Sequence, residues 1–292
     1  MKVVVFGSAN IDHKYQLSHL VRAGETLASG AYEKNEGGKG FNQAVALAKA
    51  GQKVCFAGAI GEDGLFLRDS LTAYGVDTEF LQVLEEPTGH AVIQVDEQGR
   101  NSIILYGGAN RCIRSERIRT VLDHFETGDV LLLQNEIRGG EVLLREAAKR
   151  GLRVALNPSP ISADLPEWPL EAVEWFILNE IEAGDLTGKS DPEEMAAELL
   201  RRYPASKVVL TLGEQGSLYL SAEEHLRQPA ISVQAVDTTA AGDTFTGFFL
   251  QAVLNGLSVK VALARASHAA SLAVSRPGAA VSIPTAEELS TL

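Results

Sequence analysis

Asp237-Thr238-Thr239-Ala240-Ala241-Gly242-Asp243-Thr244-Phe245 follows the β-branched and apolar run Ile231–Val236. It opens an amphipathic stretch, Thr244–Asn255, with Phe245, Phe248, Phe249, Ala252 and Val253 on one side. The small residues therefore mark a strand handing over to a helix. Such a turn leaves backbone N–H groups unpaired at the positive end of the helix, where they can hold an anion. Asp243 then admits two readings. It is an ordinary helix N-cap, or a carboxylate placed to take a proton from a group that attacks a bound phosphate. Ala240-Ala241-Gly242 favours the second, because three residues with almost no side chain clear space for a ligand to touch backbone.

Working outward, Val3–Phe6 reads as a fully buried parallel strand stopped by Gly7-Ser8, and comparable runs recur at 54–57, 130–133, 154–156, 175–178 and 208–212. Helical patterns lie between most of them: 42–50, 65–74 and 140–150, each followed by glycine, and 192–203. This alternation predicts an α/β fold, a doubly wound, mostly parallel sheet with helices on both faces. Ligands on such sheets bind at the carboxyl ends of the strands, at a switch point. One region breaks the pattern. Residues 90–96 and 101–106 flank a Glu97-Gln98-Gly99-Arg100 turn, a β-hairpin signature, and 12–36 lacks a helical period. Together these predict a small antiparallel β-sheet lid, inserted from about 12–36 and 88–107 into a single domain spanning 1–292.

The 26 basic and 38 acidic residues give a net charge of −12, which argues against a nucleic-acid partner but not against a small anion held by local donors. Cys55 and Cys112 imply no disulfide framework; Cys55, in an apolar run, reads as a buried thiol. The amino terminus is too short an apolar run for a signal peptide, and no run approaches membrane-spanning length. The expectation is a cytoplasmic protein with no membrane partner.

Two further turns carry polar groups. Asn35-Glu36-Gly37-Gly38-Lys39-Gly40-Phe41-Asn42-Gln43-Ala44 opens a helix. It fails as a Walker A loop, because Gly40 follows Lys39 where Ser or Thr is required. As a loose glycine turn it needs no function; as a clasp for substrate it offers Lys39 and Asn42 as donors. Gly7-Ser8-Ala9-Asn10-Ile11-Asp12 lacks the later glycines of a dinucleotide fingerprint. Its Asn10 and Asp12, two apart in extended chain, face one way and offer a polyol mixed donors and acceptors. The six histidines show no metal-ligand spacing and no Gly-x-Ser-x-Gly elbow occurs.

The ordered set resembles the ribokinase-like carbohydrate kinases. It comprises Gly7-Ser8-x-Asn10-x-Asp12, Gly24-Glu25-Thr26, Gly37-Gly38-Lys39-Gly40-x-Asn42-Gln43-Ala44 and Asn157-Pro158-x-Pro160 in the first half. Asn179-Glu180-x-Glu182, Thr211-Leu212-Gly213-x-x-Gly216 and Asp237-Thr238-x-Ala240-Ala241-Gly242-Asp243-Thr244-Phe245 complete it. The resemblance spans essentially the whole chain. It implies transfer of the ATP γ-phosphoryl group to a sugar hydroxyl, O5 of ribose in the type member. It also implies Asp243 as general base and Ala240, Ala241 and Gly242 as the anion hole. Sugar would be held by Asn10, Asp12, Gly38, Lys39, Asn42 and Glu136. ATP would be held by Asn179, Thr211, Gly213, Gly216, Gly242 and His268. Glu182 would support Mg²⁺ through water. A monovalent cation, usually K⁺, would lie by Asp237, Thr239, Ser275, Gly278 and Ser282. A homodimer through the lid is implied as well. Phe41 and Asn135-Glu136-Ile137-Arg138 depart from the family's usual pattern at positions that the resemblance puts in the sugar pocket. Deoxyribose, another sugar, a nucleoside, or sugar sensing without turnover therefore stay open as alternatives.

Overall fold

Val3, Val4, Val5 and Phe6 are all buried, yet they serve two cores: Val3 and Val5 pack into one hydrophobic cluster, Val4 and Phe6 into another. Alternation along a strand sends neighbours to opposite faces, so a continuous apolar run means a sheet covered on both sides. The computed structural model describes residues 1–290. Its strands are β1 (Val3–Phe6), β2 (Asn10–Gln16), β3 (Ala31–Gly37), β4 (Val54–Gly61), β5 (Asp77–Leu84), β6 (Gly89–Val95) and β7 (Asn101–Tyr106). There follow β8 (Val130–Gln134), β9 (Arg153–Asn157), β10 (Val173–Asn179), β11 (Lys207–Thr211), β12 (Ser217–Leu220) and β13 (His225–Gln228). The helices are α1 (Lys39–Lys49), α2 (Leu65–Ala73), α3 (Ser115–Leu122), α4 (Gly140–Arg150) and α5 (Glu180–Thr187). The remainder are α6 (Pro192–Arg202), α7 (Ala241–Leu254), α8 (Val259–Val274) and α9 (Ala286–Ser290).

The main sheet has nine strands in the order β13-β12-β11-β10-β9-β8-β1-β4-β5. Pairing is parallel from β5 to β11 and antiparallel at β12 and β13. The chain winds outward from β1 to β4 and β5, then returns to β8 on the other side of β1 and winds the opposite way. The switch point therefore lies between β1 and β8, as the doubly wound expectation requires. Among the described residues no helix is long and apolar enough to cross a membrane.

A second sheet of four strands runs β3-β2-β6-β7. The expected purely antiparallel lid is corrected here: β2 and β6 pair in parallel, with antiparallel partners on either side. The cause is topological. β2 follows β1 and β6 follows β5, and β1 and β5 are parallel members of one sheet, so both excursions set out in the same direction. Two other readings also change. Residues 231–236 form no strand. They run as coil over the end of α8, where the amides of Val236 and Asp237 both donate to the carbonyl of Val274. Cys55 is half-buried beside Asp77, and burial followed by that carboxylate pushes its thiol up to about 11.

α1 and α7 cross unusually closely. A Cβ on Gly247 would stand 2.4 Å from the Ala46 Cβ and 2.8 Å from the Leu47 amide nitrogen. One turn earlier on each helix stand Asp243 and the pair Asn42–Gln43, so this crossing is what brings them together. The Gly247→Leu substitution wedges the helices apart; overpacking of this kind costs about 1–3 kcal/mol. A lower urea midpoint, with turnover falling further than the loss of folded protein accounts for, is the expected result.

Candidate active site

Five polar stretches fall at the carboxyl ends of core strands. Gly7-Ser8 follows β1, Gln134-Asn135-Glu136 ends β8, Asn157 ends β9, Asn179 ends β10 and Thr211 ends β11. The amino ends of α1, α5 and α7 open at the same edge. α1 reaches it because Gly40 lies against β1: a Cβ there would meet the Ser8 nitrogen at 2.5 Å and Gly7 Cα at 2.7 Å.

Asp243 is the third residue of α7 and not its cap; the cap position is Ala240, held in the left-handed region at φ 60°. That backbone is strained for alanine. It turns the chain so that the side chain of Asp243 points inward, 8% exposed. Asn42 Nδ2 donates to Oδ2 at 3.1 Å and Gln43 Nε2 donates to Oδ1 at 2.9 Å. Burial raises the carboxyl's pKa, while the charge of Lys39 and these two amides oppose the rise. Lys39 feels the reverse balance. Burial works to lower its pKa, but Asp243, Glu136 and Glu182 outweigh it and hold the ammonium above its ordinary value. Lys39 is thus a fixed cation beside three carboxylates.

Two cavities meet here. The smaller, about 200 Å³, is polar and lined by Lys39, Asn157, Asn179, Glu182, Asp243 and the turn Ala240–Gly242. The larger, about 720 Å³, has a more apolar wall that includes Ile231, Val233, Phe245, Ala270 and Val274, with Gly213 and Gly216 at one side. Asn179, Thr211, Thr238, Ala241 and Gly242 line both. A Cβ on Gly242 would meet nothing within 4 Å, so the backbone there is open to a ligand. Asn179 caps α5 in a capping box with Glu182: the Glu182 amide donates to Asn179 Oδ1 at 2.8 Å and the Asn179 amide to Glu182 Oε2 at 3.0 Å.

On the other side of Lys39, Glu136 Oε2 accepts from the Lys39 amide at 3.0 Å and from the Ser8 hydroxyl. Asn10 Oδ1 accepts from Asn110 Nδ2 at 2.7 Å. The carboxyl group of Asp12 lies against Gly37, where any Cβ would stand 2.3 Å from it. Of the residues expected around a sugar, Lys39 and Asp243 line the polar cavity, whereas Asn10, Asp12, Gly38, Asn42 and Glu136 line neither cavity; Asn42 and Glu136 are tied to that pair by hydrogen bonds, and Gly38 packs against Ser8 and Asn10. Of the residues expected around nucleotide, Asn179, Thr211, Gly213, Gly216 and Gly242 line the larger cavity. His268 does not; that wall of α8 is formed by Ser267, Ala270, Ser271 and Val274. Among the residues expected to hold a monovalent cation, Asp237 accepts from the Thr239 amide (2.9 Å) and hydroxyl (2.6 Å) and from the Gly278 amide (3.1 Å). The hydroxyls of Ser275 and Ser282 turn to the carbonyls of Leu272 and Ala279.

Two of the departing residues, Phe41 and Asn135, turn into the protein. Phe41 is fully buried in the core cluster beneath α1. Asn135 Nδ2 donates to the Pro160 carbonyl at 2.6 Å and to the Ser162 hydroxyl at 2.8 Å, tying the end of β8 to the loop after β9. The sequence motifs contain Gln43 and Asn157 but assign them no role, and they leave out Gln134, which meets Gln43 behind Asp243, and Asn110 behind Asn10.

A family profile described as pfkB family carbohydrate kinase matches residues 1–286. The chain is 37% identical to a ribokinase of Haemophilus influenzae, covering 98% of this chain and 96% of that one. It superposes on a ribokinase of Cryptococcus neoformans in complex with ADP at a TM-score of 0.87, with 36% identity over 99% of this chain and 98% of that one. An Arabidopsis thaliana ribokinase complexed with ribose and ATP gives 0.88, with 32% identity over 99% and 97%.

Burial, followed by the charge of Glu136, pushes the Asp12 carboxyl up to about 7. Between about pH 4, its ordinary value, and this raised value the folded chain binds a proton here that the unfolded chain has released. Stability contributed by this group therefore falls as pH rises through that window. The Asp12→Asn variant should melt higher than the parent at pH 8, with the difference vanishing near pH 3; an equal difference at both pH values would refute the assignment.

Proposed function

The chain belongs to the pfkB family of carbohydrate kinases, and on that premise we propose that it phosphorylates the primary 5-hydroxyl of D-ribose with ATP. The observation that carries this reading is the shared wall of the two cavities at the start of α7, with a buried carboxylate on its sugar side. The larger cavity has the size and apolar wall of an adenosine site. The phosphates then run across Asn179, Thr211 and Gly242, and the terminal phosphoryl group enters the polar cavity beside Lys39. The relatives described as ribokinases, one complexed with ribose and ATP, support ribose as the acceptor. Asn42 supports a polyol independently, since its Oδ1 is buried with no partner among the described residues and can accept from a sugar hydroxyl.

In the reaction, a new P–O bond forms to the sugar oxygen as the bond from the terminal phosphorus to ADP breaks, and the hydroxyl proton passes to Asp243. Phosphoryl transfer asks little covalent work of a protein, so positioning and charge stabilisation dominate. Lys39 and the free amides at the start of α7 face the charge that develops on the moving group. Mg²⁺ carried on the nucleotide phosphates supplies further neutralisation. Glu182 fits its support through water, because the capping box uses only one carboxylate oxygen and the side chain lines the cavity. A K⁺ ion would be held beside Asp237, whose carboxylate joins the turn before α7 to the Gly278 loop by accepting from backbone amides.

A panel of ribose, deoxyribose, other sugars and nucleosides with an ADP readout, run with and without potassium, tests the reading. Ribose should give the highest kcat/KM. Asp243→Asn should bind ribose and ATP while losing about 10²–10⁴-fold in kcat, the usual worth of a general base; wild-type turnover in that variant would sink the assignment.

The lid supports a homodimer. β7 is an edge strand whose Ile103, Ile104, Leu105 and Tyr106 are exposed, and an apolar edge of this length is covered by pairing with another chain. Register sets Leu105 in the row of Ala91 and Asp12, so a partner on this face would also close the sugar space. Light scattering should give twice the chain mass at micromolar concentration, and Ile104→Glu should shift it toward the monomer.

A further inference from the structure

Behind the Asp243 carboxylate lies a chain of three side-chain amides. Gln134, at the end of β8, donates from Nε2 to Gln43 Oε1 at 2.6 Å. Gln43, on α1, donates from Nε2 to Asp243 Oδ1 at 2.9 Å and to Asn157 Oδ1 at 3.2 Å. Asn157, at the end of β9, donates from Nδ2 to the Ile177 carbonyl of β10 at 2.8 Å. Gln43 and Gln134 are fully buried and Asn157 is 8% exposed.

The chemistry of the ends fixes every amide in the middle. A carbonyl and a carboxylate only accept, so Asn157 must turn its nitrogen to Ile177 and Gln43 must turn its nitrogen to Asp243. That leaves Asn157 Oδ1 and Gln43 Oε1 as acceptors, and Gln134 is obliged to donate. The bonds from Gln134 to Gln43 and from Gln43 to Asp243 therefore run toward the carboxylate, while the second branch, from Gln43 through Asn157 to the Ile177 carbonyl, anchors Gln43 to β10. The arrangement is costly, because the second oxygen, Gln134 Oε1, is buried without a partner among the described residues. Apolar side chains of the same volume would fill these positions without leaving a buried polar atom unpaired. The amides are thus explained by what they hold.

We infer that Gln43, itself held by Gln134 and Asn157, is the positioning residue that keeps the Asp243 carboxylate ionised and aimed at the sugar hydroxyl. This inference rests on the reading of Asp243 as the general base. The other groups facing the carboxylate are Asn42 and Lys39 of α1 and Glu182 of α5. Lys39 lines the polar cavity. Gln43 touches no ligand cavity and gives the carboxylate a reference that does not change through the cycle.

The test compares Gln43→Met, Gln134→Met and Asp243→Asn in the complete enzyme, with melting to establish folding and calorimetry to establish ribose and nucleotide binding. A hydrogen bond to an ionised group moves a pKa by roughly one to two units. The acid limb of kcat/KM should therefore move up by about that much in Gln43→Met, with ribose and nucleotide affinity little changed at the pH where both enzymes are ionised. Gln134→Met, one residue further from the base, should move it the same way by less. A folded Gln43→Met with an unshifted limb overturns the proposal even if kcat falls, since a merely structural role lowers activity at all pH values alike. If Gln43→Met does not fold, Gln134→Met decides by the same limb, and failure of both to fold assigns the amides to the fold and overturns the proposal. An active Asp243→Asn marks failure of the base assignment instead; inactive Asp243→Asn beside an unshifted Gln43→Met marks failure of this inference alone.

Discussion

A carboxyl group sunk to 8% exposure is the constraint around which the site is arranged. Burial alone would neutralise it, so fixed donors and a nearby cation must be delivered to it. Those come from α1, which must therefore lie against α7, and the small residues follow from that need. Gly247 admits Ala46, and Gly40 admits the end of β1. The glycines are spacers that set helix separation, and the electrostatics depend on that separation being held.

The sheet supplies the rest. Seven parallel strands end at one edge, and helices α1, α5 and α7 begin there, so positive helix ends and polar strand-terminal residues share a small volume. They are used differently. α5 satisfies its own amino end through the Asn179–Glu182 capping box, whereas α7 has no side-chain cap and leaves its first amides to a ligand. The lid adds what the sheet cannot, a polar row carrying Asn10 and Asp12 above the strand ends.

The alternation of buried runs with amphipathic helices was legible because every core strand is apolar on both faces. Where that signal fails, so does the reading. β5 (Asp77–Leu84) lies at the edge and mixes charge into its pattern, and α5 has eight residues and almost no apolar stripe. Residues 231–236 look like a strand by composition, but the sheet already ends at β13 and the segment walls a cleft instead. Within the site, residues at turns carried their own signal in glycine spacing. Gln43, Gln134, Asn157 and Asn110 did not, because a buried amide in a helix or at a strand end matters only through a partner that sequence separation hides. Phe41 misled for the same reason: Lys39, two residues before it, lines the polar cavity while its own ring faces the core.

The bond between Asn42 and Asp243 joins residues 201 apart, and that separation has a consequence for how the protein comes into being. During synthesis at about 5–20 residues per second, the amides of α1 leave the ribosome roughly 10–40 s before their carboxylate exists. The amino-terminal strands can pair in that interval, but no chain that ends before α7 can bring these amides to their carboxyl partner. The last helices thus act as a completion signal: the chain gains a working centre only once nearly all of it has been made and folded back on its beginning.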